Sequence, residues 1–516
     1  MKAEDIYNAV TELRDDQIQA GERKLRAKHP ANFRRLGVVA ALLAAVILSG
    51  VLAGPRLAAA LRERKPDPTV QIPGTTEPPA STEPAEPDGS ELKLAPFTLS
   101  AAVYPRMAQY PNELDYETAK GFDDAGYEAA WSAWRESVSA LQSEIDYTQG
   151  LTPYLRAAIP VLLADAGDKN RVASPLNIYM ALAMLAESTA GESRAELLKL
   201  LNVPDLVTLR ERAKALWQAN YRDDGQLTEL LAASLWLRDD MDYNKETVGT
   251  LAENYYSSSF SGKMGSEDYT AALQSWMNEQ TKGLLSDQIE GIELYPETVL
   301  ALVTTVYYKA AWQEEFRRTE TRSFQSPAGE RSCEFLLDSS VTDYYSGKGF
   351  TAAGKSLLGS GSMYFLMPEE SLSPEELLGR EEVMDFLTDA PGRSRTEHRT
   401  ARVNLAVPKF DVSAQLELRE KLETLGVLAV FDDGKADFSP LCPEEDGLSL
   451  TRARHGARLM IDEKGVTGAA YTLLGVYGAL EPQQLDEVEL TLDRPFLFVV
   501  TNNEGLPLFV GVVNNP

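Results

Sequence analysis

Helical periodicity dominates the first part of the chain that carries a regular hydrophobic pattern. Apolar residues recur there at spacings of three and four, so that they fall on one face of a helix. This pattern predicts helices over residues 124–144, 151–163, 176–190 and 192–201. Ser174-Pro175 precedes the third helix, where proline fits the first turn because its missing N–H needs no partner, and Gly191 is predicted to end that helix.

Strand-like patterns follow nearer the C-terminus. Runs rich in β-branched and aromatic residues predict strands over residues 231–237, 299–308, 362–367, 403–407, 490–500 and 508–513. Helices first and strands later, without regular alternation, indicate an α+β fold rather than a doubly wound α/β fold.

One stretch, residues 461–495, combines the patterning of a buried strand with the composition of a loop. Its alternate residues are small or apolar, and they are Val466, Gly468, Ala470, Thr472, Leu474 and Val476. No charge interrupts the run between Gly465 and Leu480, so it could be buried in the centre of a sheet. The glycines within it weaken a permanent strand and suit a mobile loop. The pattern indicates either a segment with two states or an ordinary glycine-rich core strand followed by a turn.

An uncharged apolar run at residues 36–54 has about the length that spans a bilayer as a helix, roughly 20 residues. The basic residues before it favour an N-terminus on the cytoplasmic side, although Arg56 and Lys65 beyond the run oppose this orientation. The run therefore predicts a retained single-pass anchor in the cell membrane. A cleaved signal with its peptidase site at Val51-Leu52-Ala53 is the alternative, and the protein would then be secreted.

The rest of the chain divides by composition into three parts. Residues 1–35 form a mixed-charge N-terminal segment, which is predicted to be cytoplasmic. Most of the segment 55–96 is rich in proline, threonine, serine and glutamate, and this composition predicts an extended, solvated linker. Residues 97–516 contain no second linker and no internal repeat, so we interpret them as one globular domain outside the membrane.

Composition excludes several classes of function. The formal net charge of −28 argues against nucleic-acid binding, because contacts to phosphate need clustered lysine and arginine. The two cysteines, Cys333 and Cys442, allow one disulfide at most and are interpreted as buried thiols, and no sequence cluster of metal ligands is evident. No cofactor and no small-molecule substrate are predicted.

Two patterns resemble enzyme motifs but lack the context that those motifs need. Residues 349–356 fit the phosphate-binding P-loop, yet their flanks do not predict the strand and helix that position such a loop. Among the histidines, His29 precedes the apolar run and His398 lies in a charged, loop-like stretch, and no Gly-x-Ser-x-Gly motif is present. We therefore do not expect an enzyme.

Ordered sequence motifs of the globular part resemble the serpin family. They are Ser174-Pro175-Leu176-Asn177-Ile178, Leu273-Gln274-Ser275-Trp276-Met277, Leu302-Val303-Thr304, Tyr308-Lys309-Ala310-Ala311-Trp312, Pro408-Lys409-Phe410, Ala436-Asp437-Phe438-Ser439, Pro495-Phe496-Leu497-Phe498 and Leu508-Phe509-Val510-Gly511. Each motif is weak alone, but the ordered set, which extends to the last residues, is specific. The resemblance implies a serpin-like fold, with large mixed or antiparallel sheets, a helical N-terminal half and an exposed reactive-centre loop.

In this resemblance, the stretch with two-state patterning corresponds to the hinge and reactive-centre loop. The hinge residues are Glu463, Lys464, Gly465, Val466, Thr467, Gly468, Ala469 and Ala470. Counting the family's spacing from Gly465 assigns the reactive bond to Ala479–Leu480, with loop subsites at Val476, Tyr477 and Gly478. Serpins present this bond as bait: a protease cleaves it and is trapped as an acyl-enzyme while the freed loop inserts into the main sheet.

Other residues correspond to positions that control opening of that sheet. They are Trp312 at the breach, His455, Thr304, Ser174 and Asn177 at the shutter, and Lys409, which pairs with Glu463 in the family. The family pairs the shutter histidine with asparagine, and Thr304 stands at that position here, so Asn177 is a candidate to replace the bond. Val466 and Thr467 also differ from the family's usual residues, but both are uncharged and compatible with insertion.

The resemblance implies a suicide-type protease inhibitor as the function, with a target protease as partner. Ala479, with Val476 and Tyr477 nearby, predicts elastase-like or subtilisin-like serine proteases as targets, and cysteine proteases are left open. The alternative is a serpin-like binding protein that does not inhibit. Relatives of that kind carry charged or bulky residues or proline on the inserting face, unlike Val466 and Gly468.

Overall fold

The structure, a computed structural model, describes residues 94–118, 121–444, 448–467 and 485–516. Its helices are α1 (Asp124–Ser139), α2 (Leu151–Leu163), α3 (Pro175–Glu187), α4 (Gly191–Leu200), α5 (Leu206–Ala219), α6 (Lys245–Tyr255), α7 (Glu267–Gln280), α8 (Ser286–Ile289), α9 (Pro374–Leu378), α10 (Glu381–Thr388), α11 (Ala390–Arg395) and α12 (Arg419–Thr424). Its strands are β1 (Thr98–Ser100), β2 (Glu117–Thr118), β3 (Gly121–Phe122), β4 (Arg171–Ala173), β5 (Arg222–Asp223), β6 (Thr228–Arg238), β7 (Ser257–Gly262), β8 (Leu300–Ala311), β9 (Arg318–Ser326), β10 (Gly329–Gly347), β11 (Phe350–Ser356), β12 (Ser362–Pro368), β13 (His398–Pro408), β14 (Phe410–Glu417), β15 (Arg452–Ile461), β16 (Gly465–Val466), β17 (Glu487–Thr491), β18 (Phe496–Thr501) and β19 (Pro507–Val513). The order of these elements confirms an α+β fold.

The main sheet, defined as the sheet that contains the predicted hinge, has the strand order β1-β7-β6-β8-β16-β15-β14. Strands β8 and β15 are parallel, whereas the two-residue β16 lies between their ends and is antiparallel to both. Nearly every residue of β6 and β8 is buried, because both faces of these central strands are covered. The start of the predicted hinge therefore lies in the centre of the sheet rather than at an edge.

The second sheet has the strand order β17-β13-β10-β11-β12-β18-β19-β4, and β9 pairs with β10. The long strand β10 pairs with β9 over residues 329–337, with β13 over residues 335–345 and with β11 over residues 344–347. Strand β17 is parallel to β13 at the edge of this sheet. Since β16 belongs to the main sheet, the predicted reactive-centre loop joins the two sheets.

Helix α3 is buried along its whole length and packs against β6 and β8 of the main sheet and β19 of the second sheet. Its start follows the sequence prediction, because Ser174 caps the helix and Pro175 occupies the first turn. The end of the helix differs from the prediction, because the helix stops at Glu187. Gly191 begins α4 instead, and its φ of +55° supplies the left-handed residue that is needed where the chain turns between the two helices.

The strand predicted over residues 490–500 is wrong as a single element. Strand β17 ends at Thr491 and β18 begins at Phe496, on different sides of the second sheet. Leu492, just after β17, is fully buried and donates its N–H to the Ala406 carbonyl of β13 over 2.9 Å, whereas Asp493 and Arg494 interrupt the apolar pattern before β18. Pro495 lacks the N–H that a continuous ladder would use. The other five predicted strands are confirmed within β6, β8, β12, β13 and β19.

Residues 94–139, here called the N-terminal segment, lie along the edge of the main sheet. Strand β1 pairs with β7, and further on the Tyr104 ring stacks on Trp217 of α5 with 5.3 Å between ring centroids. The Tyr104 hydroxyl donates to Gln280 Oε1 at the end of α7 over 3.0 Å. Trp134 of α1 donates through Nε1 to Asp224 Oδ2 over 2.9 Å. The segment thus joins the sheet edge to two helices.

The predicted membrane helix at residues 36–54 lies outside the described residues, as do residues 1–35 and nearly all of the predicted linker. In the ranges that are described, no helix has both the length and the apolar character to cross a membrane. Residues 350–356, the main part of the P-loop-like pattern, form strand β11, so the pattern does not precede a helix as phosphate binding through a P-loop requires.

Candidate hinge and insertion site

The two parallel strands β8 and β15 are paired over only part of their length. The ladder between them runs from Arg452↔Ala301 to Gly456↔Thr305. At the opposite end of these strands, β16 lies between them, with Val466 opposite Ala310 on β8 and opposite Ile461 on β15. Between these two paired regions, the described residues of β8 and β15 have no ladder partner on their facing edges. This unpaired stretch, here called the gap, comprises residues 306–309 of β8 and 457–460 of β15, and a longer antiparallel strand would enter it only as the remaining β8–β15 pairs separate.

A tight turn at Asp462 directs the chain from β15 into the gap. The Asp462 carboxylate accepts from the N–H groups of Lys464 (2.8 Å) and Gly465 (3.0 Å), and its own N–H donates to the Gly465 carbonyl at 3.0 Å. A side chain at position 465 would bring its Cβ within 2.3 Å of the Ala310 carbonyl oxygen, so only glycine fits against β8 there.

Trp312, the residue after β8, holds this turn through hydrogen bonds to its backbone. Its buried indole donates through Nε1 to the Asp462 carbonyl over 2.9 Å, and its backbone N–H donates to the Lys464 carbonyl over 2.9 Å. Phe316 packs edge-on against the indole and donates its backbone N–H to Glu463. Residues 312–316 therefore hold the backbone of the hinge base through three hydrogen bonds.

Lys409, between β13 and β14, connects the hinge to the second sheet. Its Nζ lies 2.6 Å from Glu463 Oε1 and 2.6 Å from Glu334 Oε2 of β10. The hydrogen bond from Lys409 lowers the pKa of Glu463, so that carboxylate stays ionised at neutral pH. Because the three side chains are partly exposed, the network positions the hinge more than it stabilises the protein.

His455 on β15 lies at the end of the paired region, fully buried beside α3 and β8. Its Nε2 accepts from the backbone N–H of Ser174 at 3.0 Å, and its Nδ1 lies 2.9 Å from Thr304 Oγ1. Since a backbone N–H is always a donor, Nε2 carries no proton and the Nδ1–H tautomer donates to Thr304. Burial lowers the pKa of His455 from 6.5 to about 3, so the ring is neutral at physiological pH.

The expectation that Asn177 replaces the family's shutter asparagine is wrong. Thr304 itself makes the bond to His455, because β8 and β15 are parallel neighbours and the two residues are directly opposite. Asn177 instead donates through Nδ2 to the Thr305 carbonyl over 2.7 Å, which ties the first turn of α3 to β8.

The first two residues after the turn differ in backbone conformation. Val466 is fully buried in the sheet, and Thr467 is also buried, at 9% exposure. Thr467 has φ +57°, in the left-handed region that β-branched residues rarely adopt. Its N–H donates to the Met460 carbonyl of β15 over 2.7 Å.

The remaining predicted site residues lie outside the described part of the chain. They are Gly468, Ala469 and Ala470 of the hinge, the subsites Val476, Tyr477 and Gly478, and the reactive bond Ala479–Leu480. The five hinge residues that are described, 463–467, all lie at or next to β16.

Sequence reasoning missed Glu334, and it gave no contact role to Asp462 or Phe316, which it named only as parts of the hinge stretch and of the breach motif. An aspartate three residues before a glycine is a recognisable turn signal, so Asp462 could have been found. The contacts of Phe316 are made through its backbone N–H and ring edge, and Glu334 lies on a strand far away in sequence. No local pattern distinguishes these two residues from others of their type. Both cysteines are thiols, and that of Cys442 donates to the Asp242 carbonyl.

Comparisons with known proteins agree with this geometry. The protein-family model described as "Serpin (serine protease inhibitor)" matches residues 160–516, which include β8, the hinge and the C-terminus. An alpha-1-antitrypsin-like protein of Tamias sibiricus is 28% identical over 378 residues, covering 69% of this chain and 85% of that protein.

Solved structures show the same fold. The crystal structure of the thermophilic serpin tengpin in the native state matches with a TM-score of 0.64 and 22% identity, covering 73% of this chain and 96% of tengpin. Human thyroxine-binding globulin complexed with its hormone matches with a TM-score of 0.60 and 22% identity, covering 72% of this chain and 99% of the globulin. Because the family model matches well over half of the chain, this protein belongs to the serpin family.

Proposed function

We propose that this serpin is a suicide-type protease inhibitor in which cleavage of the reactive-centre loop lets the hinge strand grow into the gap between β8 and β15. The observation that carries the proposal is β16, in which Gly465 pairs with β8 and Val466 already pairs with both β8 and β15 in the antiparallel direction. A strand that extends from β16 keeps this direction and register, so insertion lengthens an existing strand and does not have to begin a new one.

The chemistry of the inserting residues supports the same function. Val466 is uncharged and fully buried, and the sequence continues with small or uncharged residues at the alternate positions 468, 470 and 472. Each ladder hydrogen bond contributes about 1 kcal/mol. A dozen inserted residues would contribute on the order of 10 kcal/mol, comparable with the whole stability of a protease domain, about 5–15 kcal/mol.

The reactive bond that we propose is Ala479–Leu480. The nucleophile of the protease attacks the Ala479 carbonyl, the amine of Leu480 leaves, and an acyl-enzyme forms. Insertion then carries the attached protease away from the cleavage site before water hydrolyses the ester. A small residue before the bond suits elastase-like or subtilisin-like serine proteases, and cysteine proteases, which would form a thioester, are a second class to test.

The test is incubation of the full-length protein with a panel of elastase-like, subtilisin-like and papain-like proteases. We expect at least one covalent complex that survives denaturing electrophoresis, with Ala479 as the new C-terminus of the inhibitor's large fragment. Cleavage of the loop by every protease, without any complex, would contradict inhibition.

Val466→Arg is the variant that tests strand insertion, and Val466→Ala is its control. Because Val466 is already buried in the intact protein, the arginine would place an unpaired charge in the sheet before and after insertion, at a cost of several kcal/mol, so the Tm of each intact variant is measured first to verify that it folds. We expect Val466→Arg to be cleaved as a substrate and Val466→Ala to retain complex formation, measured as the molar ratio of inhibitor to protease needed for full inhibition. Equal ratios for the two variants would rule out insertion through this face.

A second candidate function is that of a serpin-like binding protein that does not inhibit. The matched human globulin is described in complex with its hormone, and this chain has a surface cavity of about 310 Å³ lined in part by Leu163, Leu372 and Val512. Loop cleavage without complex formation in the protease panel would favour this candidate.

For localisation we propose a single-pass membrane protein. Residues 1–35 would be cytoplasmic, residues 36–54 would span the membrane, and the linker at 55–96 would hold the serpin domain outside. Fractionation of the full-length protein tests this arrangement: an alkali-resistant membrane fraction supports it, and a shortened soluble product indicates a cleaved signal.

A further inference from the structure

Strand β16 stops after two residues although the gap ahead of it is unpaired, and Thr467 is the residue at which it stops. The register of β16 assigns Thr467 to Met460 on β15 and to Lys309 on β8. The bond to β15 is already made, because the Thr467 N–H donates to the Met460 carbonyl over 2.7 Å. Thr467 nevertheless does not continue the strand, since its φ of +57° is incompatible with an extended conformation.

Two features make this conformation of Thr467 unfavourable. A β-branched side chain in the left-handed region brings its substituents against the backbone, which is why glycine and asparagine usually occupy that region. In addition, the Thr467 hydroxyl is buried and has no hydrogen-bond partner among the described residues. The first cost would disappear if Thr467 became extended, which is also the conformation that β-branched residues prefer.

We propose that Thr467 is a positioning residue for loop insertion. Its strained left-handed backbone limits β16 to a length of two residues in the intact protein, and this backbone becomes extended as insertion proceeds. The proposal rests on the proposed inhibitory function and identifies the residue at which insertion starts. Relief of the strain favours the inserted state over the held state, so threonine here promotes insertion once the loop is cut.

The experiment compares Thr467→Gly with Thr467→Val. Glycine adopts the left-handed conformation without strain and weakens a strand, so it stabilises the held state and destabilises the inserted one. Valine keeps the β-branch and removes only the hydroxyl. We expect Thr467→Gly to raise the ratio of cleaved to complexed inhibitor about fivefold, which corresponds to about 1 kcal/mol, and Thr467→Val to leave that ratio near the wild-type value.

A second measurement is independent of any target protease. We expect Thr467→Gly to raise the Tm of the intact protein and to lower the Tm of the protein cleaved in its loop, whereas a residue with a merely structural role would shift both values in the same direction. Thr467→Val keeps the strained β-branched backbone and removes only the unpaired hydroxyl, so it should not shift the two Tm values in opposite directions.

The outcomes separate the two hypotheses. If the wild type forms no complex with any protease, inhibition is contradicted, and the two Tm shifts still decide whether Thr467 is strained. If the wild type forms complexes but glycine and valine give the same ratio and Tm shifts of the same sign, the role of Thr467 is overturned and inhibition stands.

Discussion

At the scale of single residues, His455 joins three elements of the insertion site. The ring accepts from the N-cap of α3 and donates to β8, while its own backbone belongs to β15. All of these partners are buried, so no water replaces a lost bond. The residue therefore stabilises the region in which β8 and β15 are still paired, and it does so only in its neutral form.

The stability of the protein should depend on pH through His455. Burial lowers the pKa of His455 to about 3, against 6.5 for an ordinary histidine. Between these two values the unfolded chain binds a proton that the folded protein does not bind, so stability present above pH 6.5 is lost as the pH falls. We expect the free energy of unfolding to fall by up to about 1.4 kcal/mol per pH unit from this residue alone.

Urea unfolding at pH 7 and pH 5 measures this effect, with His455→Gln as the control. The variant has no titrating group at this position, so its stability should fall less between the two pH values than that of the wild type. Equal losses in both proteins would show that His455 is not the acid-sensitive group.

At the scale of elements, the hairpin of β15 and β16 and the N-terminal segment contact the main sheet on opposite sides of the gap. The hairpin of β15 and β16 is fixed by the Asp462 turn and by the backbone bonds of Trp312. The N-terminal segment adds β1 to the sheet edge and connects α5 with the end of α7 through Tyr104. The whole of this segment precedes residue 160, where the family match begins.

Tyr104 should contribute measurably to the stability of the intact protein. Tyr104→Phe removes the bond to Gln280 but keeps the stacking on Trp217, and we expect a loss of about 1 kcal/mol in the free energy of unfolding. Tyr104→Ala also removes the stacking, and we expect a loss of about 2–4 kcal/mol. Urea unfolding of the two variants beside the wild type tests the order, and a phenylalanine variant as unstable as the alanine variant would contradict the stacking contribution.

At the scale of the whole molecule, the main sheet is incomplete in its centre. Its strands β8 and β15 are held together at one end by five ladder pairs and at the other end by β16. The segment that follows β16 leads to β17 at the edge of the second sheet. This segment is attached to a sheet at each end, so it can fill the gap only if one of the two attachments is lost. Cleavage of the loop would remove this restriction.

Cleavage in the loop should therefore stabilise the protein. If about a dozen residues insert, the gain on the order of 10 kcal/mol corresponds to a rise of about 10 °C or more in Tm for a domain of this size. Differential scanning calorimetry of the intact protein and of protein cleaved at the loop by a non-target protease measures this rise. A cleaved form that melts at the same temperature as the intact form would show that no strand was added.

Local signals allowed much of the fold to be predicted from the sequence. The cap Ser174 and the first-turn Pro175 gave the start of α3, and runs of β-branched and aromatic residues gave β6 and β8 of the main sheet and β12, β13 and β19 of the second sheet. The prediction failed over residues 490–500, because it joined the apolar ends of β17 and β18 across Asp493, Arg494 and Pro495, where the chain passes from one side of the second sheet to the other.

The sequence by itself determined the local elements and the uncharged character of the stretch that begins at Gly465, because each depends on neighbouring residues and on side-chain type. Only the tertiary structure decided that Thr304 rather than Asn177 bonds His455, that Glu334 shares Lys409 with Glu463, and that β16 enters the gap. These contacts depend on the register between strands that are distant in the chain. That register is set by packing of the whole sheet, and no local pattern contains it.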